Sequence, residues 1–195
     1  DPGARQPDHS AAARGGGDQV TGGGHVTLGW LGSEKRYRCI GLARAFLTAV
    51  DIQAIHAAAQ HATVREINDR KGYLAFKHRV WRFETQLRAK EPELYERLMG
   101  LMQQADSQKW KRLRGKKKKW VVYPEIEYID YNVEEYEGKP CHIEPHVDNK
   151  SAVTLVAMLS PPVDYVGGRS CFRRGEGRCG HRELHLGQGD AVLFR

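Results

Sequence analysis

The chain is 195 residues long, 40% hydrophobic and 28% charged, with a formal net charge of +7 and an isoelectric point of about 9.3. That length suits one domain with a sizeable core. No apolar stretch reaches the ~20 residues a membrane-spanning helix requires, so a soluble protein without membrane association is expected. Four cysteines, Cys39, Cys141, Cys171 and Cys179, are too few and too scattered for a disulfide framework.

In chain order, residues 1–32 hold many Gly, Ala and polar residues and few large apolar ones. Such a stretch buries too little to offset its ordering entropy, so a disordered leader over 1–32 and a folded domain over 33–195 are expected. Thr48 with Asp51 three residues on forms a capping-box pattern, and Ile52, Ile55 and Ala59 follow on one face, which predicts a helix over 48–62. The stretch from Ala75 to Glu84, with Val80, Trp81 and Phe83, predicts an extended segment. Pro92 suits the first turn of a second helix, in which Leu94, Leu98, Leu101, Met102 and Ala105 repeat as one core-facing stripe.

Lys109, Lys111, Arg112, Arg114 and Lys116 to Lys119 place eight basic residues in eleven positions, beside Trp110 and Trp120. The plainer expectation is a solvated loop. The functional one is a patch for an acidic partner, centred on Lys116–Lys119, that takes phosphates or acidic peptides.

Strand signals follow. The segment from Glu125 to Tyr131 is one, and Ser151 to Leu159, an apolar run rich in β-branched residues closed by Pro161-Pro162, predicts a strand buried on both faces. Gly167-Gly168 predicts a turn into an edge strand at Arg169–Phe172, and Gly187 and Gly189 a turn into an apolar strand ending at Phe194. Helices first and strands afterwards predict an α+β domain, with helices buttressing one sheet of a β sandwich or barrel.

Between the first two of these strand regions lies Pro145-His146-Val147-Asp148. On a strand, side chains two apart share a face, so His146 and Asp148 can converge on one metal ion. A facial pair of that kind is two thirds of a 2-His-1-carboxylate iron site. The tripeptide alone is weak, because nine His and ten Asp in 195 residues give about half a chance occurrence. Cys171, Cys179, His181 and His185 make a second set of metal-binding residue types, but their order lacks the paired spacing of zinc sites, and the plainer reading is a loop, or a Cys171–Cys179 bridge in an oxidising compartment.

The order of elements around the His-x-Asp resembles the prolyl 4-hydroxylase-like 2-oxoglutarate and Fe(II)-dependent dioxygenases over roughly residues 40 to 195. The shared landmarks are Tyr131, then His146 and Asp148, Thr154 in the apolar strand, Gly167-Gly168 before Phe172, and Gly189-Asp190-Ala191 before Phe194. Because the interval from Tyr131 to His146 is long for that pattern, Tyr128 or Tyr136 are alternative counterparts of the tyrosine. Met158 stands where some relatives carry an aromatic residue.

The resemblance implies a double-stranded β-helix (jelly roll) supported by N-terminal helices. It implies Fe(II) held by His146, Asp148 and a further His, which the pattern puts after Arg195 together with the basic residue that grips 2-oxoglutarate. Since the chain stops at Arg195 and starts at Asp1 rather than Met, an incomplete dioxygenase domain is expected. Tyr131 and Thr154 would line the 2-oxoglutarate pocket, with ascorbate keeping the iron reduced. O2 and 2-oxoglutarate would be consumed, succinate and CO2 released, and a protein side chain, prolyl in the leading case, hydroxylated. Two alternatives stay open: a nucleic-acid oxidative demethylase, suggested by the basic run, and a non-catalytic basic binding module on a jelly-roll scaffold.

Overall fold

A computed structural model of the chain describes residues 26–32, 39–62, 64–67, 79–113, 123–131, 143, 146, 148, 151–173 and 181–195. Helices and antiparallel sheets are both present, as the sequence predicts, and the described strands do not close into a barrel. Among the described residues no helix is long and apolar enough to cross a membrane.

The helical layer forms where local signals are strong. Helix α1, Ala49–Ala59, starts at the predicted capping box, with Thr48 and Asp51 each bonding the other's backbone N–H. Helix α2, Glu84–Lys90, carries no such signal, because seven residues are too few to display a helical period. Helix α3, Pro92–Ala105, has Pro at its first turn and buries Leu94, Leu98, Leu101 and Ala105 along the predicted stripe. A π-helical turn, Asp106–Trp110, continues it. Arg97 of α3 donates to both carboxylate oxygens of Asp51, at 2.9 and 3.1 Å, and to the Phe46 carbonyl, which clasps α3 to the start of α1.

Strands β1 (Gly29–Leu31), β2 (Ile40–Ala43), β6 (Thr154–Ala157) and β9 (Ala191–Phe194) form an antiparallel sheet in the order β1-β2-β9-β6. Strand β1 falls inside the stretch expected to be a disordered leader. Trp30 packs against the helical core and Leu31 against the opposite face, so the ordered region begins before residue 33. The expectation of a strand buried on both faces moves from β6 to β9. Ala191, Val192 and Leu193 of β9 are fully buried, while Val156 of β6 is 42% exposed because β6 lies at the end of the described sheet. Each fully buried aliphatic side chain contributes about 1.5–3 kcal/mol before ordering costs.

Alternation along these strands separates two cores. Ala43, Val153, Leu155, Ala157, Ala191 and Leu193 face α1 and α3, whereas Ile40, Leu42, Met158 and Val192 face a hairpin. That hairpin pairs β7, Arg169–Arg173, with β8, His181–His185, and sets Phe172 edge-on to Phe194 of β9, with ring centroids 5.2 Å apart. Gly167 and Gly168 enter it with φ of 92° and 59°, the left-handed turn their sequence predicts. A third sheet, β3 (Val64–Ile67), β4 (Arg79–Arg82) and β5 (Glu127–Asp130), carries the predicted extended segment in its middle.

Candidate functional site

The His146 and Asp148 side chains converge. His146 Nε2 lies 3.3 Å from Asp148 Oδ1, and the two side chains are 44% and 34% exposed. Neither residue belongs to a strand, contrary to expectation. The chain turns just after the pair, where Ser151 N–H donates to the Asp148 carbonyl at 3.1 Å, so the two side chains meet outside regular strand geometry. Ser151 Oγ in turn donates to the Val153 carbonyl and accepts from Thr154 Oγ1, each at 3.0 Å. A short hydrogen-bonded relay thus joins Asp148 to the first residue of β6.

Two donors each about 2.1 Å from one cation, at right angles, are about 3 Å apart. At 3.3 Å the His146 and Asp148 atoms need only a small rotation to reach that spacing, so the pair fits a divalent cation as two cis ligands. The plainer chemistry of the same contact is a half-exposed His–Asp ion pair, which contributes little to stability. Among the described residues no group of three His, Cys, Asp or Glu gathers as a metal site.

The other predicted site residues separate. Thr154 lines a cavity of about 210 Å³ between the helical layer, β5 and β6, whose wall also includes Leu98, Met99 and Tyr128. His146, Asp148 and Tyr131 are absent from that wall. Tyr131 follows β5 and is 45% exposed. Tyr128, the alternative tyrosine, points inward. Its hydroxyl is hydrogen-bonded to His56 Nδ1 at 2.9 Å, and its ring meets Trp81 and Phe83 edge-on. Burial pushes the Tyr128 phenol above its ordinary pKa, and the Asp130 carboxylate adds to the rise. The cavity wall is largely apolar and, among the described residues, supplies no basic side chain, which suits a dicarboxylate poorly.

A functionally suggestive landmark proves to be a structural hub. Asp190, in the Gly189-Asp190-Ala191 motif, is 6% exposed. Its carboxylate accepts from Ala45 N–H at 2.9 Å, Gly187 N–H at 2.8 Å and the Arg44 guanidinium at 2.5 Å. Burial pushes its pKa up, but the Ala45 and Gly187 amides and Arg44 outweigh that and hold it below the ordinary value. Gly189 (φ 82°) sits so close to Leu47 that a Cβ there would collide with the Leu47 carbonyl oxygen. Backbone bonds from Leu47 to Gly189, Met158 to Asp190 and Gly189 to Met158 complete the joint.

The basic run is described only as far as Leu113, and Lys116–Lys119 and Trp120 lie outside the described residues. Its first part is rooted on Asp106, which is 1% exposed. The Asp106 carbonyl accepts from Lys111 N–H at 2.7 Å, and its two carboxylate oxygens accept from Arg112 and Leu113 N–H at 2.7 and 2.8 Å. Sequence reasoning passes over this aspartate, because its amide partners lie five to seven residues on and follow no local capping pattern. Of the second candidate metal set, Cys171 is a free, exposed thiol and His185 is exposed on β8. Cys179, like Tyr136, lies outside the described residues. No family model matches the chain, and no curated protein or solved structure matches it either.

Proposed function

We propose that this chain belongs to a 2-oxoglutarate- and Fe(II)-dependent oxygenase that hydroxylates a protein side chain, prolyl in the leading case. The observation that carries the reading is the convergence of His146 Nε2 and Asp148 Oδ1 to 3.3 Å, inside an ordered series of landmarks that resembles the prolyl 4-hydroxylase-like enzymes. The architecture lends support. Strands β6 and β9 pair across the intervening β7–β8 hairpin, and that hairpin covers the face of the sheet opposite the helices, a nesting that suits a double-stranded β-helix.

In this reading His146 and Asp148 hold Fe(II) through an imidazole nitrogen and a carboxylate oxygen, and the resemblance looks for the third ligand beyond β9. The bound metal and cosubstrate supply oxidative decarboxylation of 2-oxoglutarate coupled to hydroxylation of a substrate C–H bond, with ascorbate keeping the iron reduced. The protein's own part is positional. The Ser151 turn fixes the backbone of Asp148, and partial exposure of the pair leaves room for further ligands. Thr154, at the far end of the relay, faces the same turn. Tyr131 keeps its assignment to the cosubstrate only if that pocket opens on the exposed side of β5, away from the cavity that Tyr128 lines.

The test is a titration with Co(II) as a spectroscopic substitute for Fe(II). The parent chain should develop a visible absorption band, and His146→Ala and Asp148→Ala should each weaken binding at least about tenfold. In a chain extended past Arg195, 2-oxoglutarate turnover should depend on the same two residues. Unchanged Co(II) affinity in both variants would withdraw the metal assignment.

A further inference from the structure

We propose that Lys109, Lys111 and Arg112, the rooted start of the basic run, form a docking surface for the phosphate backbone of duplex nucleic acid, engaged by charge and without base stacking. This surface is independent of the His146–Asp148 reading.

Charge is the first part of the argument. Eight basic residues in eleven positions begin at Lys109, in a chain of net charge +7. Duplex nucleic acid presents one phosphate per ~1.7 Å of axis, and neutralising those phosphates releases condensed counterions, so closely spaced cations bind it without reading sequence. Preorganisation is the second part. Asp106, buried beneath the turn, captures the N–H groups of residues 111, 112 and 113 in succession, and Lys111 adopts the left-handed conformation that reverses the chain. The exposed Lys111 and Arg112 side chains therefore leave a backbone that is already ordered, which lowers the cost of binding.

The described tryptophans, Trp30 and Trp110, favour duplex over single strand. A Trp beside a basic run suggests a platform on which unpaired bases stack. Here Trp110 is only 7% exposed and packs against Trp30, with ring centroids 5.6 Å apart. The Lys109 ammonium lies over the Trp30 ring, 5.3 Å from its centroid, and the Trp30 N–H is spent on Gln108 Oε1 at 3.0 Å. Both indoles serve the junction between β1 and the end of α3. Among the described residues, this surface offers cations without free aromatic faces, which fits phosphates held in a duplex rather than exposed bases.

Fluorescence anisotropy tests the proposal with the full chain and three probes: a mixed-sequence duplex of about two helical turns, one of its strands alone, and polyglutamate. The duplex is expected to bind most tightly, without sequence preference, and to weaken steeply between about 50 and 200 mM salt. Lys111→Ala with Arg112→Ala should reduce the slope of log K against log salt by about 2, at roughly 0.9 for each phosphate no longer neutralised. A thermal melt checks that the double variant is folded, and Lys111→Glu alone should weaken duplex binding in the same direction. Tighter binding of the single strand, equal binding of polyglutamate, or an unchanged salt slope in the variants would each overturn it.

Discussion

Asp190 and Asp148 are the same side chain put to opposite uses. Asp190 is buried, and its carboxylate receives two backbone amides and a guanidinium, with Arg44 and Ala45 coming from a segment far away in sequence. Asp148 stands about one third exposed beside an imidazole, with its backbone carbonyl tied to Ser151. A carboxylate saturated by the fold contributes stability and has little capacity left for a ligand. One presented at the surface beside His adds little stability and can accept a cation. The motif landmark and the metal candidate thus separate by environment, although both belong to the same set of family-like residues.

The sharpest way to break that contrast is at the hub itself. Gly189→Ala forces a side chain onto φ 82° and drives a Cβ into a backbone carbonyl, which cannot move without shifting the Leu47 turn. We expect a loss of about 3–5 kcal/mol, within the range of severe backbone and packing defects, measured by urea denaturation. A variant as stable as the parent would show that the 44–47 and 187–190 turns are not coupled as described.

Next in size is the paired comparison. Asp190→Ala removes the acceptor of the Ala45 and Gly187 amides, while Arg44 stays exposed to solvent, and should cost about 3 kcal/mol. Asp148→Ala should change stability by less than about 0.5 kcal/mol, as surface substitutions do, while it removes Co(II) binding. If Asp148→Ala proved as damaging to the fold as Asp190→Ala, the metal reading would give way to a structural role for the His146–Asp148 pair.

Legibility in the sequence follows the range of the interactions. The Thr48–Asp51 capping box, Pro92 at the start of α3, the stripe from Leu94 to Ala105 and the Gly167-Gly168 turn are fixed by residues within a few positions of one another, and each is readable in advance. Strand β1 is harder to read, because the alternation of Val26, Leu28 and Trp30 is short and lies beside glycine-rich sequence, and pairing with β2 completes the strand. The same limit hides the exchange of edge and centre between β6 and β9, since a run of apolar residues does not say which neighbours it will have. At the candidate site, the spacing of His146 and Asp148 predicts a shared strand face, but the two side chains meet outside a strand, beside a turn at Ser151 that their spacing does not foretell. The choice between Tyr128 and Tyr131 depends on which face of β5 packs inward, and the hydroxyl partner that settles it for Tyr128, His56, is 72 residues away. The partners of Asp190 at Arg44 and Ala45 are 146 and 145 residues away, out of reach of any local pattern.

The smallest effect is a pH dependence that sharpens the same contrast. Asp190 has a folded pKa below its ordinary value of 3.8, with burial opposing the change and the Ala45, Gly187 and Arg44 hydrogen bonds prevailing. A depressed carboxylate binds protons more weakly in the folded chain than in the unfolded one, so its stabilisation is complete above the unfolded value and is lost as pH falls through the folded one. Asp51, held down by Arg97 and Thr48 against its own burial, acts in the same direction. Tyr128 works at the other end. Its raised pKa means that the folded chain holds the phenolic proton more tightly, so that contribution is present below the unfolded value of 10.0 and fades as pH rises through the folded one. Stability measured by denaturation against pH should therefore fall away on both sides, below about pH 4 and above about pH 10. Asp190→Asn should flatten the acid limb and Tyr128→Phe should flatten the alkaline limb. An acid limb left unchanged by Asp190→Asn would show that the Asp190 carboxylate is not held by the Ala45, Gly187 and Arg44 donors as described.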